Sequence, residues 1–196
     1  MAVRTDRTGP RGDQYLPSPG IWIVDPAHSE IQFQVRHLMI SRVRGRFRVF
    51  SGTLVIDQVP ERSSVEVVIE AASIDTGDAQ RDGHLRGPEF LDVERYPEIR
   101  FRSTEVRHTE GARGQIVGDA TVRDVTRQVV MDVEYTGAAV DPWGNERAGF
   151  VGRFEIDRED FGITWNQALE TGGFLLGKEI SFELDVQAVR QREADS

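Results

Sequence analysis

The sequence predicts an all-β protein: eight or nine antiparallel strands closed into an up-and-down barrel, with one short helical crossover near residues 78–95. Three observations predict it. Apolar and polar residues alternate with period two from Trp22 nearly to the C-terminus, as strands with one wet and one buried face require. The connections between most of these runs are short and carry turn residues, which favours antiparallel neighbours over parallel ones. An open sheet of this many strands would leave two edges free to pair with other chains, and closure removes them.

The strands follow in order. Ile31, Phe33, Val35 and His37 share the inner side of the first, against Glu30, Gln32, Gln34 and Arg36. Val43, Gly45, Phe47 and Val49 come next, opposed by Arg42, Arg44, Arg46 and Arg48. A third strand covers Gly52–Asp57, and the total depends on whether residues 43–57 bend or break at Gly52. Val65, Val67 and Ile69 point inward from a fourth, and Ile99 and Phe101 begin a fifth. Ile116, Gly118, Ala120 and Val122 mark a sixth, and Val129, Met131, Val133 and Tyr135 a seventh. Ala148, Phe150, Gly152, Phe154 and Ile156 form a long eighth, and Ile180, Phe182, Leu184, Val186 and Ala188 end the series. Asp141-Pro142-Trp143-Gly144-Asn145 and Glu110-Gly111-Ala112-Arg113-Gly114 supply tight turns between neighbouring runs.

Two intervals break the alternation. In residues 76–97, Pro88 after Gly87 suits a first helical position, Phe90 and Leu91 give an apolar face, and Pro97 ends the segment. One or two helical turns there would cap one mouth of the barrel. Residues 159–177 are glycine-rich and read as a loop whose Phe161, Trp165, Phe174 and Leu175 are available to pack inward. A flexible tail is expected over 1–20, the barrel over 21–190 and a short tail over 191–196.

Composition narrows the function. A chain of 196 residues suits one domain. With 33 acidic against 24 basic residues the net charge is −9, which repels phosphate backbones and argues against a nucleic-acid partner. The absence of Cys excludes disulfides, thiolate metal sites and cysteine nucleophiles. Apolar runs fall far short of the roughly 18 residues of a membrane span. Residues 1–20 contain Arg4, Arg7 and Arg11 with no apolar stretch after them, so the expected compartment is the cytoplasm.

Catalytic signals are thin. No G-x-S-x-G occurs, and His28, His37, His84 and His108 are scattered without zinc-ligand spacing. No catalytic residue, metal or cofactor is therefore expected, and the protein reads as a non-enzyme. Residues 172–179 match most of a phosphate loop, but Glu179 replaces the hydroxyl that would hold magnesium, and a strand follows where a helix is needed. The stripe Arg42, Arg44, Arg46 and Arg48 is either a solvated face paired with carboxylates or a surface for transient docking on an anionic membrane or acidic partner. Arg81 and His84 either grip a polar group at the mouth or, with Asp82, brace the crossover. His37 continues the inward register, as a satisfied core histidine or a polar point in the lumen. The small inward residues Gly45, Gly118, Ala120, Gly152 and Ala188 either leave room inside or mark barrel corners.

Taken together, these residues resemble the YceI family of lipocalin-like proteins over about residues 21–190. The pattern begins with Trp22-x-x-Asp25-Pro26-x-His28-Ser29-x-Ile31-x-Phe33-x-Val35-x-His37, Gly45-x-Phe47 and Phe50-x-Gly52. It continues through Ile74-Asp75-Thr76, Arg81-Asp82-x-His84-Leu85, Phe90-x-Asp92-Val93, Tyr96-Pro97 and Phe101-x-Ser103-Thr104. Gly118-x-x-Thr121, Val125-Thr126, Gly149-Phe150 and Arg158-x-Asp160-Phe161-Gly162 complete it. The resemblance implies an extended eight-stranded antiparallel barrel whose apolar pore holds an isoprenoid lipid, quinones included, or a similar long-chain amphiphile, for binding, storage or transport. Many relatives carry an export signal that is not read here, and Ala120 stands where relatives often have Leu.

On that implication, the tail would lie along Phe33, Val35, Phe47, Val67, Ile69 and Phe101 on one side and Met131, Val133, Phe150, Phe154 and Phe182 on the other. A polar head would meet His37, Arg81 or His84. Burying about ten methylene equivalents at ~0.8 kcal/mol each gives on the order of 8 kcal/mol before entropic costs, about micromolar binding with no polar recognition. Two alternatives remain open: an enzyme acting on an amphiphile through a titrating group in the pore, and an interaction module with a filled barrel. A homodimer stays open as well.

Overall fold

The computed structural model describes residues 16–170 and 172–192, so most of the expected N-terminal tail and residues 193–196 lie outside the described residues. The strands are β1 (Gly20–Val24), β2 (Glu30–His37), β3 (Ser41–Phe47), β4 (Phe50–Ile56), β5 (Ser64–Glu70) and the two-residue β6 (Ile74–Asp75). Helix α1 (Ala79–Arg86) follows, then β7 (Glu98–Glu110), β8 (Arg113–Val122), β9 (Val125–Val140), β10 (Glu146–Asp157) and β11 (Leu176–Arg190).

Every pairing is antiparallel, and the circuit closes because β11 pairs with both β10 and the first strand. The long β11 holds β1 against its C-terminal part and β2 against its middle. β1 and β2 are thus one barrel strand, interrupted by a 3-10 turn at Pro26–His28 that Asp25 caps through the Ala27 N–H. β3 and β4 are likewise halves of one strand, β3 pairing with β2 and β4 with β1. Counted this way, eight antiparallel strands close the barrel, as expected.

The break in the second barrel strand lies at Arg48-Val49, not at Gly52, which is buried within β4. There the Arg48 N–H leaves the ladder for Ser73 O, and the Glu70 N–H reaches Val49 O. Two residues outside the ladder shift the inward positions from odd to even numbers. Val49, expected inside, is consequently 51% exposed, and Phe50 fills the core position at 7%.

The helix also departs from expectation. It ends before Gly87-Pro88, so Pro88 follows the helix. Its start is set by Asp78, whose carboxylate accepts from the Arg81 N–H. Residues 88–97 form turns whose Phe90 and Leu91 are buried.

The β2–β3 hairpin, the crossover between β5 and β7, the β8–β9 turn and the β10–β11 loop gather at one end, called upper here. Trp22, Ala148 and Ala188, all at 0% exposure, belong to the core towards the other end, where the indole N–H donates to Ser18 O at 3.0 Å. No helix among the described residues is long and apolar enough to cross a membrane.

Candidate functional site

Inward side chains of the eight strands leave a cavity of about 570 Å³ in the upper half of the barrel, within the range of roughly 300–1,000 Å³ typical of small-molecule sites. Its wall is aromatic and aliphatic. Phe154 and Phe182 stack across β10 and β11, ring centroids 4.7 Å apart and planes 2° apart. Phe33 continues the wall, 6.1 Å from Phe182 and 5.6 Å from Phe47. A second cavity of about 170 Å³ occupies the lower half. Both are bounded by Val67, Phe101, Met131 and Leu184, which form a waist between them.

The small inward residues explain how bulky side chains line the barrel without filling it. A Cβ at Gly45 would overlap the ring of its cross-strand partner Phe33, and one at Gly118 would overlap Phe101. At Gly152 it would come within 2.8 Å of Met131 Sδ. Each glycine makes room for a neighbouring side chain that lines the cavity. At these three positions the room a glycine leaves is taken by a crossing side chain, and at Gly118 the β7–β8 register also shifts, between Ser103 and Glu105.

Nine of the expected tail-lining residues border the upper cavity: Phe33, Val35, Phe47, Val67, Ile69, Phe101, Met131, Phe154 and Phe182. Val133 and Phe150 lie below the waist and line only the lower cavity. His37, Arg81 and His84 all border the upper cavity. Asp78, Gln80, Arg81 and His84 are also exposed, so the cavity reaches solvent beside α1.

Local bonds already hold most of this polar rim. Asp82 is buried and accepts from the Thr76 N–H at 2.9 Å and the Thr76 hydroxyl at 2.6 Å. Arg81 donates through Nε to Thr76 Oγ1 and through Nη2 to the Thr76 carbonyl. Arg86 donates to the carbonyls of Ala72 and Ile74. These bonds clamp the crossover over the opening. His84 Nε2 lies 2.6 Å from Glu89 Oε2, and its ring stands edge-on to Phe90 and Trp165, each centroid 4.9 Å away. Trp165 thus joins the β10–β11 loop to α1, and Phe161 is buried as expected. Phe174 instead faces solvent at 54% exposure.

Arg158 stands in the sequence pattern with no role assigned to it. It is 2% exposed and borders the upper cavity. Nε donates to Gly177 O, and Nη1 donates to Ile163 O at 2.6 Å and Trp165 O at 2.9 Å. Nη2 is buried without a partner among the described residues. Burial pushes the guanidinium pKa down from its ordinary value, against the pull of Glu159 and Asp157. The inward parity of Phe154 and Ile156 continues to residue 158, and that was the available signal.

Lys178 of the loop resembling a phosphate site pairs with Glu159 at 2.7 Å and stands in β11. Among the described residues, no three His, Asp or Glu side chains gather as metal ligands.

The model of the YceI-like domain matches residues 22–188 of the chain. A UPF0312 protein of Vibrio parahaemolyticus is 41% identical over 138 residues, covering 70% of this chain and 73% of its own. One from Staphylococcus epidermidis is 38% identical over 166 residues, covering 83% and 94%. Among solved structures, Burkholderia cenocepacia BcnA superposes with a TM-score of 0.74 at 21% identity, covering 84% of this chain and 98% of that one. A domain from Saccharophagus degradans, described as polyisoprenoid-binding and implicated in plant cell wall breakdown, superposes with a TM-score of 0.68 at 12% identity, covering 89% and 100%. At these identities the two superpositions speak to the fold.

Proposed function

The chain belongs to the YceI-like domain family, and we propose that its barrel binds a long-chain isoprenoid lipid or similar amphiphile for storage or transport. The observation that carries this reading is the cavity of about 570 Å³, walled by Phe33, Phe47, Phe154 and Phe182 and bordered by polar groups only towards its rim and at Arg158. Such a wall favours hydrocarbon by about 0.8 kcal/mol per methylene removed from water. The polyisoprenoid-binding description of the Saccharophagus degradans domain supports the same ligand class. A barrel completely filled by its own side chains is incompatible with a cavity of this size.

We read the site as one for binding rather than turnover. Arg81 and Asp82 are bonded to Thr76, and His84 lies against Glu89 and Trp165, an arrangement that fixes the rim. Titration of the full chain with a fluorescent isoprenoid analogue tests the reading. Saturable uptake near one per chain, competed by unlabelled polyprenol, is expected. Absence of uptake by delipidated protein overturns it.

A further inference from the structure

We propose that the upper rim of the barrel is a docking surface for an anionic lipid bilayer, formed by the β2–β3 hairpin tip and the arginines behind it. The inference deepens the lipid-binding reading by naming where ligand is exchanged, and it rests on that reading for its purpose.

The tip is built to project. Leu38 and Met39 both adopt left-handed backbone conformations, φ 53° and 61°, which residues with a Cβ rarely take without a local reason. The turn leaves Met39 56% and Ile40 85% exposed. The Leu38 N–H donates to Leu175 O at 2.8 Å, tying the tip to the loop that carries the exposed Phe174. Three large apolar side chains thus stand in water beside the greasy cavity, whose wall includes His37 and Leu175.

The arginine stripe behind the tip divides into two parts. Arg46 and Arg48 are matched by Glu30 and Asp75. Arg36, Arg42 and Arg44, nearer the tip, are exposed and form no ion pair among the described residues. Arg36 stands directly opposite Arg42 across the β2–β3 ladder, a placement of like charges that destabilises a sheet. On the other side of Arg36, β11 presents Gly177, where a Cβ would come within 3.2 Å of the Arg36 Cβ. A concentrated cationic patch on a chain of net charge −9, next to projecting apolar side chains, matches a surface with anionic headgroups above hydrocarbon. An acidic protein would meet the arginines alone, and a second copy would oppose them with its own.

The test floats the full chain with vesicles of phosphatidylcholine, or of phosphatidylcholine mixed with phosphatidylglycerol. Binding to the anionic vesicles only, weakening as salt rises, is expected. Arg36→Gln should lower that affinity about fivefold, and Arg36→Gln with Arg42→Gln about twenty-five-fold. Ile40→Asp should release the protein as well. All three variants should fold, and Arg36→Gln should melt no lower than the parent, because it relieves the facing charges. Uptake of the fluorescent isoprenoid analogue in free solution should stay at the parental level in each, which separates loss of docking from loss of ligand binding. Vesicle binding that ignores lipid charge, parental affinity in the arginine variants, or a tip that supports only self-association or capture of an acidic protein overturns the proposal.

Discussion

The Phe33 ring occupies the space that a side chain on Gly45, its partner across the β2–β3 ladder, would need. This close approach holds a large aromatic residue at the wall of the upper cavity and leaves the axis open. Gly45→Val should therefore push Phe33 towards the lumen. Overpacking of this kind costs about 1–3 kcal/mol, so a lower melting temperature together with reduced uptake of the isoprenoid analogue is expected. Unchanged uptake would show that the position of Phe33 does not set the usable volume.

The waist of Val67, Phe101, Met131 and Leu184 separates the two cavities. Met131→Ala should join them, at a stability cost of about 2–5 kcal/mol for truncating a buried side chain. Competition with polyprenols of increasing length should then shift in favour of longer tails relative to the parent. The same length preference in both proteins would mean that the waist does not bound the ligand.

If hydrocarbon burial dominates affinity, the wall outweighs the rim. Phe154→Ala, which removes one ring of the stacked pair with Phe182, should weaken uptake more than His84→Ala. Titration of both variants checks the order, and the reverse ranking would point to head-group recognition.

Alternation made the barrel legible because one-sided burial leaves a period-two record in every long strand. It did not reveal the break at Arg48-Val49, since these residues continue the pattern and only pairing with neighbouring segments shifts their parity. Gly87-Pro88 has the chemistry of a helix boundary, and it marks the end of α1 where the sequence suggested a beginning. The glycines were visible as small inward residues, but their role depends on which side chain crosses over each, a tertiary property. Arg158 was obscured for a related reason. A charged residue on an inward position reads as the end of a strand unless the loop carbonyls that receive it are known.

Those carbonyls make Arg158 a structural pin. Arg158→Met keeps the bulk and leaves Ile163, Trp165 and Gly177 without their donor, at a cost on the order of 3 kcal/mol. Protease cleavage within residues 159–175 should accelerate in the variant. Parental resistance would show that Trp165 and Phe161 hold the loop unaided.

The lower end carries part of the pH dependence, alongside Glu30, Asp75 and Glu105, whose carboxyls are also held below their ordinary values. Arg147 donates to Asp25 at 2.7 Å and to Asp141 at 2.9 Å. Its hydrogen bond is the main cause that holds the Asp25 carboxyl below the ordinary 3.8. At Asp141 burial pushes upward, but the Asn145 and Trp143 N–H groups and Arg147 outweigh it and hold the carboxyl far below 3.8. Both groups bind protons more weakly when folded. Their stabilisation is thus complete above the unfolded pKa and is lost as pH falls from about 4 through the depressed folded values. Chemical denaturation at a series of pH values should show stability declining below about pH 4, with a shallower decline in Arg147→Met. An equally steep decline in that variant would assign the effect to other carboxylates.

The most direct measurement is mass spectrometry of an organic extract from protein purified without detergent. An isoprenoid lipid near one per chain, depleted in the Phe154→Ala variant, is the predicted result. A parent protein that emerges empty and stays empty when offered polyprenols would contradict the account.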